Sequence, residues 1–259
     1  MSTSTYTSLY AFAALNSDGS VVTWGHSSWG GNSSGVSASL TSDVSAIYST
    51  QQAFAALKSD GSVVTWGNSN NGGNTSYNNN GGPENLTSVQ TIYSTSSAFA
   101  AVKSDGSVVT WGNSSSGGNS SGVSASLTSV QTIYSTSSAF AAVKSDGSVV
   151  TWGHSSFGGN SSGVAPDLTS GVSAIYSTFN AFAAVKSDGS VVTWGHSSFG
   201  GDSSSVPSGS LTSGVLTIYS SEGAFAALKS DGSVVTWGHS SRGGDSSSVP
   251  SGSLTSGVL

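Results

Sequence analysis

The sequence predicts an all-β fold, a six-bladed β-propeller built from antiparallel meander repeats of about 42 residues. The phrase Val-Val-Thr-Trp-Gly occurs six times, and its tryptophans lie 42, 45, 41, 42 and 43 residues apart. Each copy holds two β-prone runs joined by an Asp-Gly turn, a strong hairpin signal. Periods in this range are typical of propellers and solenoids. The tryptophans that mark the copies are Trp24, Trp66, Trp111, Trp152, Trp194 and Trp237.

The composition alone would suggest a disordered chain. The 259 residues include 66 Ser and 35 Gly, whereas charged residues make up only 7%. Such a composition without a period is typical of low-complexity segments. In every copy, however, a block of fixed length runs from a tyrosine through a phenylalanine to the tryptophan, and every change of length follows the tryptophan. Insertions belong in loops, and the largest lies around Tyr77 to Pro83 in the second copy.

The second copy shows the expected elements in chain order. Residues 45–49 form a short β-prone run (strand a), residues 53–57 form strand b, and residues 62–66 form strand c after the Asp-Gly turn. A fourth strand near Leu86, or at 124–127 in the next copy, stays open because Ser and Gly are poor strand formers. One such sheet cannot bury its faces alone, so we expect the copies to pack face to face.

The two ends of the chain are in phase with one another. The last copy stops at Leu259, which corresponds to Leu216, and from Leu216 the chain continues to Tyr219. Residues 4–6 supply the matching piece. This predicts one domain over 1–259, a ring closed by N- and C-terminal segments that share a blade, because closure removes open sheet edges. A β-solenoid, which needs no such matching, is the alternative fold.

The phrase Ala-Phe-Ala-Ala-Leu-Lys-Ser-Asp-Gly-Ser-Val-Val-Thr-Trp-Gly, followed by Gly-Gly, resembles the repeat of the regulator of chromosome condensation (RCC1-like) family. The resemblance covers all six copies and hence nearly the whole chain. It implies a β-propeller, usually of seven blades in that family, so six copies are a departure, and their short length is similar to bacterial members. Some relatives exchange nucleotide on a small GTPase, bind nucleosomes or inhibit an enzyme. The resemblance therefore implies a fold more firmly than a function.

The copies differ most at two loop positions. One is the fifth residue after the tryptophan, and the other is the pair before Ala-Phe. In a meander the a–b and c–d connections emerge at the same edge of the sheet, so both positions are predicted to lie on one face of the ring. Aromatic residues and Arg are enriched at binding interfaces. The residues that predict a binding site there are Tyr10, Trp29, Phe157, Phe179, Phe199, Glu222 and Arg242.

An alternative to a binding site is neutral drift of recently duplicated loops, with each aromatic side chain packing on its own loop. Several absences argue against catalysis and cofactors, because the chain has no Cys, no Gly-x-Ser-x-Gly elbow with a placed His and acid, and no phosphate loop. Four histidines share the second position after the tryptophan with two asparagines, which favours loop hydrogen bonding over a metal site. They are His26, His154, His196 and His239, with Asn68 and Asn113 in the other copies.

Charge and hydropathy restrict the partners of the chain. With a net charge of −6 and six basic residues, the chain is poorly suited to nucleic acid. No apolar run approaches the ~18 residues of a membrane span, and residues 1–4 lack signal-peptide features. The location is left open, although the composition is compatible with an exported or surface protein.

These observations predict a non-catalytic, monomeric module that binds a protein or a glycan on the variable face. A strand-swapped oligomer is the alternative assembly. The alternative functions are a structural repeat domain of a larger bacterial surface protein and a designed or consensus propeller without a ligand.

Overall fold

A computed structural model describes residues 4–74 and 86–258, so the insertion around Tyr77 to Pro83 lies outside the described residues. The described chain forms six three-stranded antiparallel sheets, each in sequence order. The all-β prediction is thus confirmed. The strands are β1 (Ser4–Thr7), β2 (Ala11–Leu15), β3 (Val21–Gly25), β4 (Val44–Ser49), β5 (Ala53–Lys58), β6 (Val63–Gly67), β7 (Val89–Ser94), β8 (Ala98–Lys103), β9 (Val108–Gly112), β10 (Val130–Ser135), β11 (Ala139–Lys144), β12 (Val149–Gly153), β13 (Val172–Ser177), β14 (Ala181–Lys186), β15 (Val191–Gly195), β16 (Val215–Ser220), β17 (Ala224–Lys229) and β18 (Val234–Gly238).

Each Asp-Gly sequence forms the predicted tight hairpin between strands b and c. In the second sheet, Lys58 N–H donates to Ser62 O at 2.9 Å, and Gly61 has φ +79°. Asp60 Oδ1 accepts from the N–H and the hydroxyl of Ser62 at 2.8 and 2.6 Å. Glycine takes the positive φ without steric cost, and the aspartate closes the turn. The hairpin places Phe54 opposite Trp66.

Short 3₁₀ helices replace the fourth strand that the sequence left open. The segment 124–127 lies partly in such a helix and forms no strand. Ser side chains explain this, since they hydrogen-bond to nearby backbone and compete with a ladder; for example, Ser37 Oγ donates to Ser34 O at 3.0 Å. The described 3₁₀ helices are Ser27–Trp29, Ser34–Leu40, Ser69–Asn71, Ser114–Ser116, Ser121–Ser126, Ser155–Phe157, Ser162–Leu168, Ser197–Phe199 and Ser240–Arg242.

The chain divides into two compact units, Met1–Ile133 (unit 1) and Tyr134–Leu259 (unit 2), with the boundary inside strand β10. The single domain over 1–259 and the closed ring stay predictions. None of the helices in the described ranges is long and apolar enough to cross a membrane.

Inside each unit, successive sheets pack face to face through the alanines of strand b. In unit 2, Ala139 and Ala141 of one sheet lie in the same buried cluster as Phe182 and Trp194 of the next. These alanines are fully buried. A small side chain on one face allows the large rings of the next sheet to approach closely, so the alternation of Ala and aromatic residues explains how a Ser- and Gly-rich chain builds a core.

A glycine completes each of these contacts. The carbonyl of Gly158, the residue after Phe157, accepts from Trp194 Nε1 at 3.1 Å. A Cβ on Gly158 would lie 2.5 Å from Cδ2 of Phe182. Only glycine leaves room for that ring. The same contact joins Gly30 to Trp66, Gly72 to Trp111 and Gly200 to Trp237.

Candidate binding face

The a–b connections of neighbouring sheets are joined by backbone hydrogen bonds. In unit 1 the Leu9 N–H donates to Gln51 O at 2.9 Å, and Gln51 N–H donates to Ser96 O at 3.0 Å. In unit 2 the Ser137 N–H donates to Phe179 O, and Phe179 N–H donates to Glu222 O, both at 2.9 Å. The main chain at this variable position is therefore fixed, whatever side chain it carries.

A side-chain hydroxyl just after strand a fixes the main chain of the other variable position, the fifth residue after the tryptophan. Thr178 Oγ1 donates to Phe199 O at 2.9 Å and accepts from Ala181 N–H at 3.1 Å. Because Thr178 directly precedes the a–b pair, this bond places both variable positions at one edge of the sheet, as predicted. Equivalent bonds run from Ser8 to Trp29, Thr50 to Asn71, Thr95 to Ser116, Thr136 to Phe157 and Ser221 to Arg242.

Four of the predicted residues meet in unit 2. The Arg242 guanidinium lies over the Phe199 ring, 5.5 Å from its centroid, and Arg242 Nη1 forms an ion pair with Glu222 Oε2 at 3.2 Å. Glu222 is in turn the residue whose carbonyl binds the Phe179 N–H. The Phe179 side chain is 50% exposed. A cation, an anion and two aromatic rings thus share one surface.

Histidines connect Phe157 to this group. His154 stacks on Phe157 with centroids 4.4 Å apart, and Phe157 lies 6.4 Å from His196. His196 then packs edge-on against Phe199 at 5.3 Å. We call the five residues Phe157, Phe179, Phe199, Glu222 and Arg242, with the intervening His196, the unit 2 surface.

Tyr10 and Trp29 form a separate pair in unit 1. Their ring centroids lie 4.6 Å apart, and His26 packs on Trp29 at 5.2 Å. Tyr10 is 63% exposed, whereas Trp29 is half-buried. This pair is smaller than the unit 2 surface and has no charged member.

The histidines act only in part as the sequence led us to expect. The asparagines cap the short helices, since Asn68 accepts from Asn70 N–H and Asn113 from Ser116 N–H. The histidines make no such capping bond; three of them pack on the aromatic residue three positions later, and His239 bonds Ser241 Oγ at 3.0 Å. Across the described residues no group of three or more His, Asp or Glu side chains is placed to hold a metal ion.

The sequence also indicates that each histidine pairs with the residue three positions later, although the expectation of loop hydrogen bonding does not reveal it. Histidine occurs in the four copies whose variable residue is Trp29, Phe157, Phe199 or Arg242, and asparagine in the two with Asn71 and Ser116. The ring and its neighbour three residues later therefore vary together.

The opposite edge of each sheet carries the Asp-Gly turns. Hydrogen bonds from the following Ser hydroxyl and N–H lower the pKa of each of these aspartates from its ordinary value of 3.8, although their side chains are exposed. These carboxylates are satisfied within their own turns and repeat almost unchanged, so this edge offers little that distinguishes one copy from another.

Comparison with known proteins supports the fold. No family model and no curated protein sequence matches the chain. Yeast RCC1 (Prp20), in the structure of its complex with Kap60, superposes with a TM-score of 0.52 over 92% of this chain and 70% of that chain, at 15% identity. The repeats have the RCC1-like propeller fold. The predicted resemblance is confirmed at that level, and at such low identity it shows the fold alone.

Two further structures are similar over most of the chain. The ectodomain of the Physcomitrella patens receptor kinase CR4 matches with a TM-score of 0.49 and 15% identity, over 92% of this chain and 63% of that chain. The computationally designed Ika8 protein matches with a TM-score of 0.41 and 13% identity, over 91% and 70%.

Proposed function

We propose that the chain is a non-catalytic binding module and that it holds a protein partner on the unit 2 surface. The observation that carries the proposal is the contact between Phe199, Arg242 and Glu222 beside the exposed Phe179. Aromatic residues and Arg are enriched at protein interfaces, where a few anchor residues supply most of the binding energy. Their occurrence at the two most variable positions favours a specific contact.

The main chain beneath this surface supports binding because it is already ordered. The Thr178 hydroxyl fixes the backbone of Phe199, and the Phe179 N–H is bonded to the next connection. A partner therefore does not have to order these loops, and preorganisation of this kind lowers the cost of association. The exposed ion pair of Arg242 and Glu222 stabilises the fold little, so its presence is better explained by recognition.

A protein fits this surface better than a glycan. A sugar ring needs a free aromatic face on which to stack, but Arg242 covers one face of Phe199 and His196 packs edge-on against the same ring. Phe157 and Phe199 are half-buried. Partly buried rings with a charged rim are typical of anchor residues in protein interfaces.

Binding peptides selected from a displayed random library provide the test. For peptides that bind the wild-type chain, we expect Phe199→Ala and Arg242→Ala to weaken binding at least about tenfold, which corresponds to about 1.4 kcal/mol. Lys144→Ala, at the turn edge of another unit 2 sheet, is the matched control and should leave the affinity unchanged.

Peptides that bind all of these variants equally would show that the unit 2 surface is not the site. Binding to a glycan array that depends on Phe199, with no selected peptide doing so, would replace the protein by a glycan.

A further inference from the structure

Histidine and phenylalanine rings alternate across three consecutive sheets of unit 2. His154 stacks on Phe157 with centroids 4.4 Å apart, and Phe157 lies 6.4 Å from His196. His196 packs edge-on against Phe199 at 5.3 Å, and Phe199 lies 6.3 Å from His239. Ring pairs attract one another at centroid distances of about 4.5 to 7 Å. His196 is thus the ring between the variable residues of two neighbouring sheets.

His196 occupies this place at a local cost. Its Nδ1 is buried and has no hydrogen-bond partner among the described residues, and a buried polar atom without a partner destabilises a fold. The side chain also makes no capping bond to its short helix, whereas Asn68 and Asn113 at the same position cap theirs. Asparagine would therefore suit this loop better than histidine does.

The residues at the fifth position explain why histidine is present all the same. A buried polar atom without a partner calls for a reason outside its own loop. The copies with asparagine carry Asn71 or Ser116 at the fifth position, whereas the copy with His196 carries Phe199. A planar ring fills the space between two phenylalanine rings, which a short amide cannot do. The packing of the rings thus accounts for the histidine.

We infer that His196 is a positioning residue that couples Phe157 to Phe199, so that these two residues of the unit 2 surface hold their orientations jointly. Loss of one phenylalanine frees one side of the His196 ring, and movement of that ring changes the surroundings of the other phenylalanine. Residues that share a packing partner in this way are expected to couple. The consequence for binding rests on the proposed function, but the coupling itself is a property of the chain without a partner.

Side-chain NMR of the chain without a partner tests the coupling. Phe157→Ala should shift the ring signals of Phe199 in the wild-type chain, because the His196 ring beside Phe199 loses a neighbour. In a chain that carries His196→Asn, the same change at Phe157 should leave the Phe199 signals in place. The coupling is then assigned to the ring at position 196.

Two control variants separate this ring from general effects. His154→Asn makes the same chemical change in a ring that contacts Phe157 but does not lie between the two phenylalanines, so the Phe199 signals should still respond. His196→Phe should also preserve the response, because a phenyl ring fills the same space without the unpaired nitrogen. Asn68 and Asn113 show that the loop accepts asparagine, and circular dichroism checks that every variant is folded.

Peptides selected for binding to the unit 2 surface give a second measurement. For a peptide whose binding is weakened by Phe157→Ala and by Phe199→Ala, the loss in the double variant should fall short of the product of the single losses by at least about threefold, because coupled residues are not additive. In the His196→Asn background the two losses should multiply to within about twofold.

Several results would overturn the inference. Phe199 signals that do not respond to Phe157→Ala in the wild-type chain exclude the coupling, and a response that survives His196→Asn excludes the role of His196. Binding losses that multiply in the wild-type chain contradict it as well. If no selected peptide depends on Phe157 or Phe199, the proposed function fails, whereas the NMR signals of the chain without a partner still decide the coupling.

Discussion

Phe12 with Trp24, and Phe182 with Trp194, are two copies of one aromatic pair in different surroundings. Both pairs face each other across the same hairpin register, and in both the ring centroids lie 5.2 Å apart. Yet Trp24 is 45% exposed and Trp194 is 4% exposed. The hairpin brings the Phe and Trp rings together, whereas the neighbouring sheet determines how far they are buried. Repeats of identical sequence therefore do not contribute equally to stability.

The largest expected effect is a difference in stability between variants of the two tryptophans. Trp194→Ala leaves a cavity between two sheets and should lower the free energy of unfolding by about 3 to 5 kcal/mol. Trp24→Ala should cost about 1 to 2 kcal/mol, because much of its surface is already in water. Chemical unfolding at low protein concentration measures both, and equal losses would contradict the comparison.

The glycines beside these pairs sharpen the comparison. Gly158 and Gly243 have nearly the same φ, +101° and +102°, so replacing either by alanine introduces similar backbone strain. Only at Gly158 does the new Cβ meet a ring, Cδ2 of Phe182 at 2.5 Å. Gly158→Ala should therefore destabilise the chain by about 1 to 3 kcal/mol more than Gly243→Ala. Thermal unfolding of the two variants side by side checks this, and a smaller loss for Gly158→Ala would refute the packing argument.

The smallest expected effect concerns the pKa of the turn aspartate, which both sheets have. Bonds from Ser20 and Ser190 lower the pKa of Asp18 and Asp188, respectively, below 3.8. A carboxyl whose pKa is lower in the folded state stabilises the fold above about pH 3.8, and this stabilisation is lost as the pH falls through the folded-state value. NMR titration should show both carboxyls shifted downwards, although only Asp188 has a nearby lysine, Lys186.

The matched variants Ser20→Ala and Ser190→Ala should raise the pKa of Asp18 and Asp188 towards the ordinary value. If only Asp188 were shifted in the wild-type chain, the lysine rather than the serine bonds would explain it.

The hairpins and the repeat could be predicted from the sequence because their signals are local. The Asp-Gly pair specifies the turn, and the turn then fixes Phe54 opposite Trp66. The edge shared by the two variable positions also follows from the meander order. For the same reason Phe199, Glu222 and Arg242 could be picked out before their contact was known.

The features that the sequence did not predict depend on competing or distant contacts. The segment after each tryptophan forms 3₁₀ helices because Ser side chains bond the local backbone, an outcome that strand propensity does not describe. The histidine contacts with Phe157 and Phe199 need the spatial neighbour across sheets. The exposure of Trp24 depends on what packs against its sheet, which no residue of its own copy encodes.

The hydroxyl that holds the carbonyl of each fifth residue makes the chain a scaffold for combinatorial libraries. Because Thr136 and Thr178 bind the main chain of Phe157 and Phe199, not their side chains, the residues at these positions can be randomised without changing the loop. The six copies already span Trp, Asn, Ser, Phe and Arg at this position. The binding specificity can thus be changed at one position per repeat, because the residues that determine the fold lie elsewhere in the sequence.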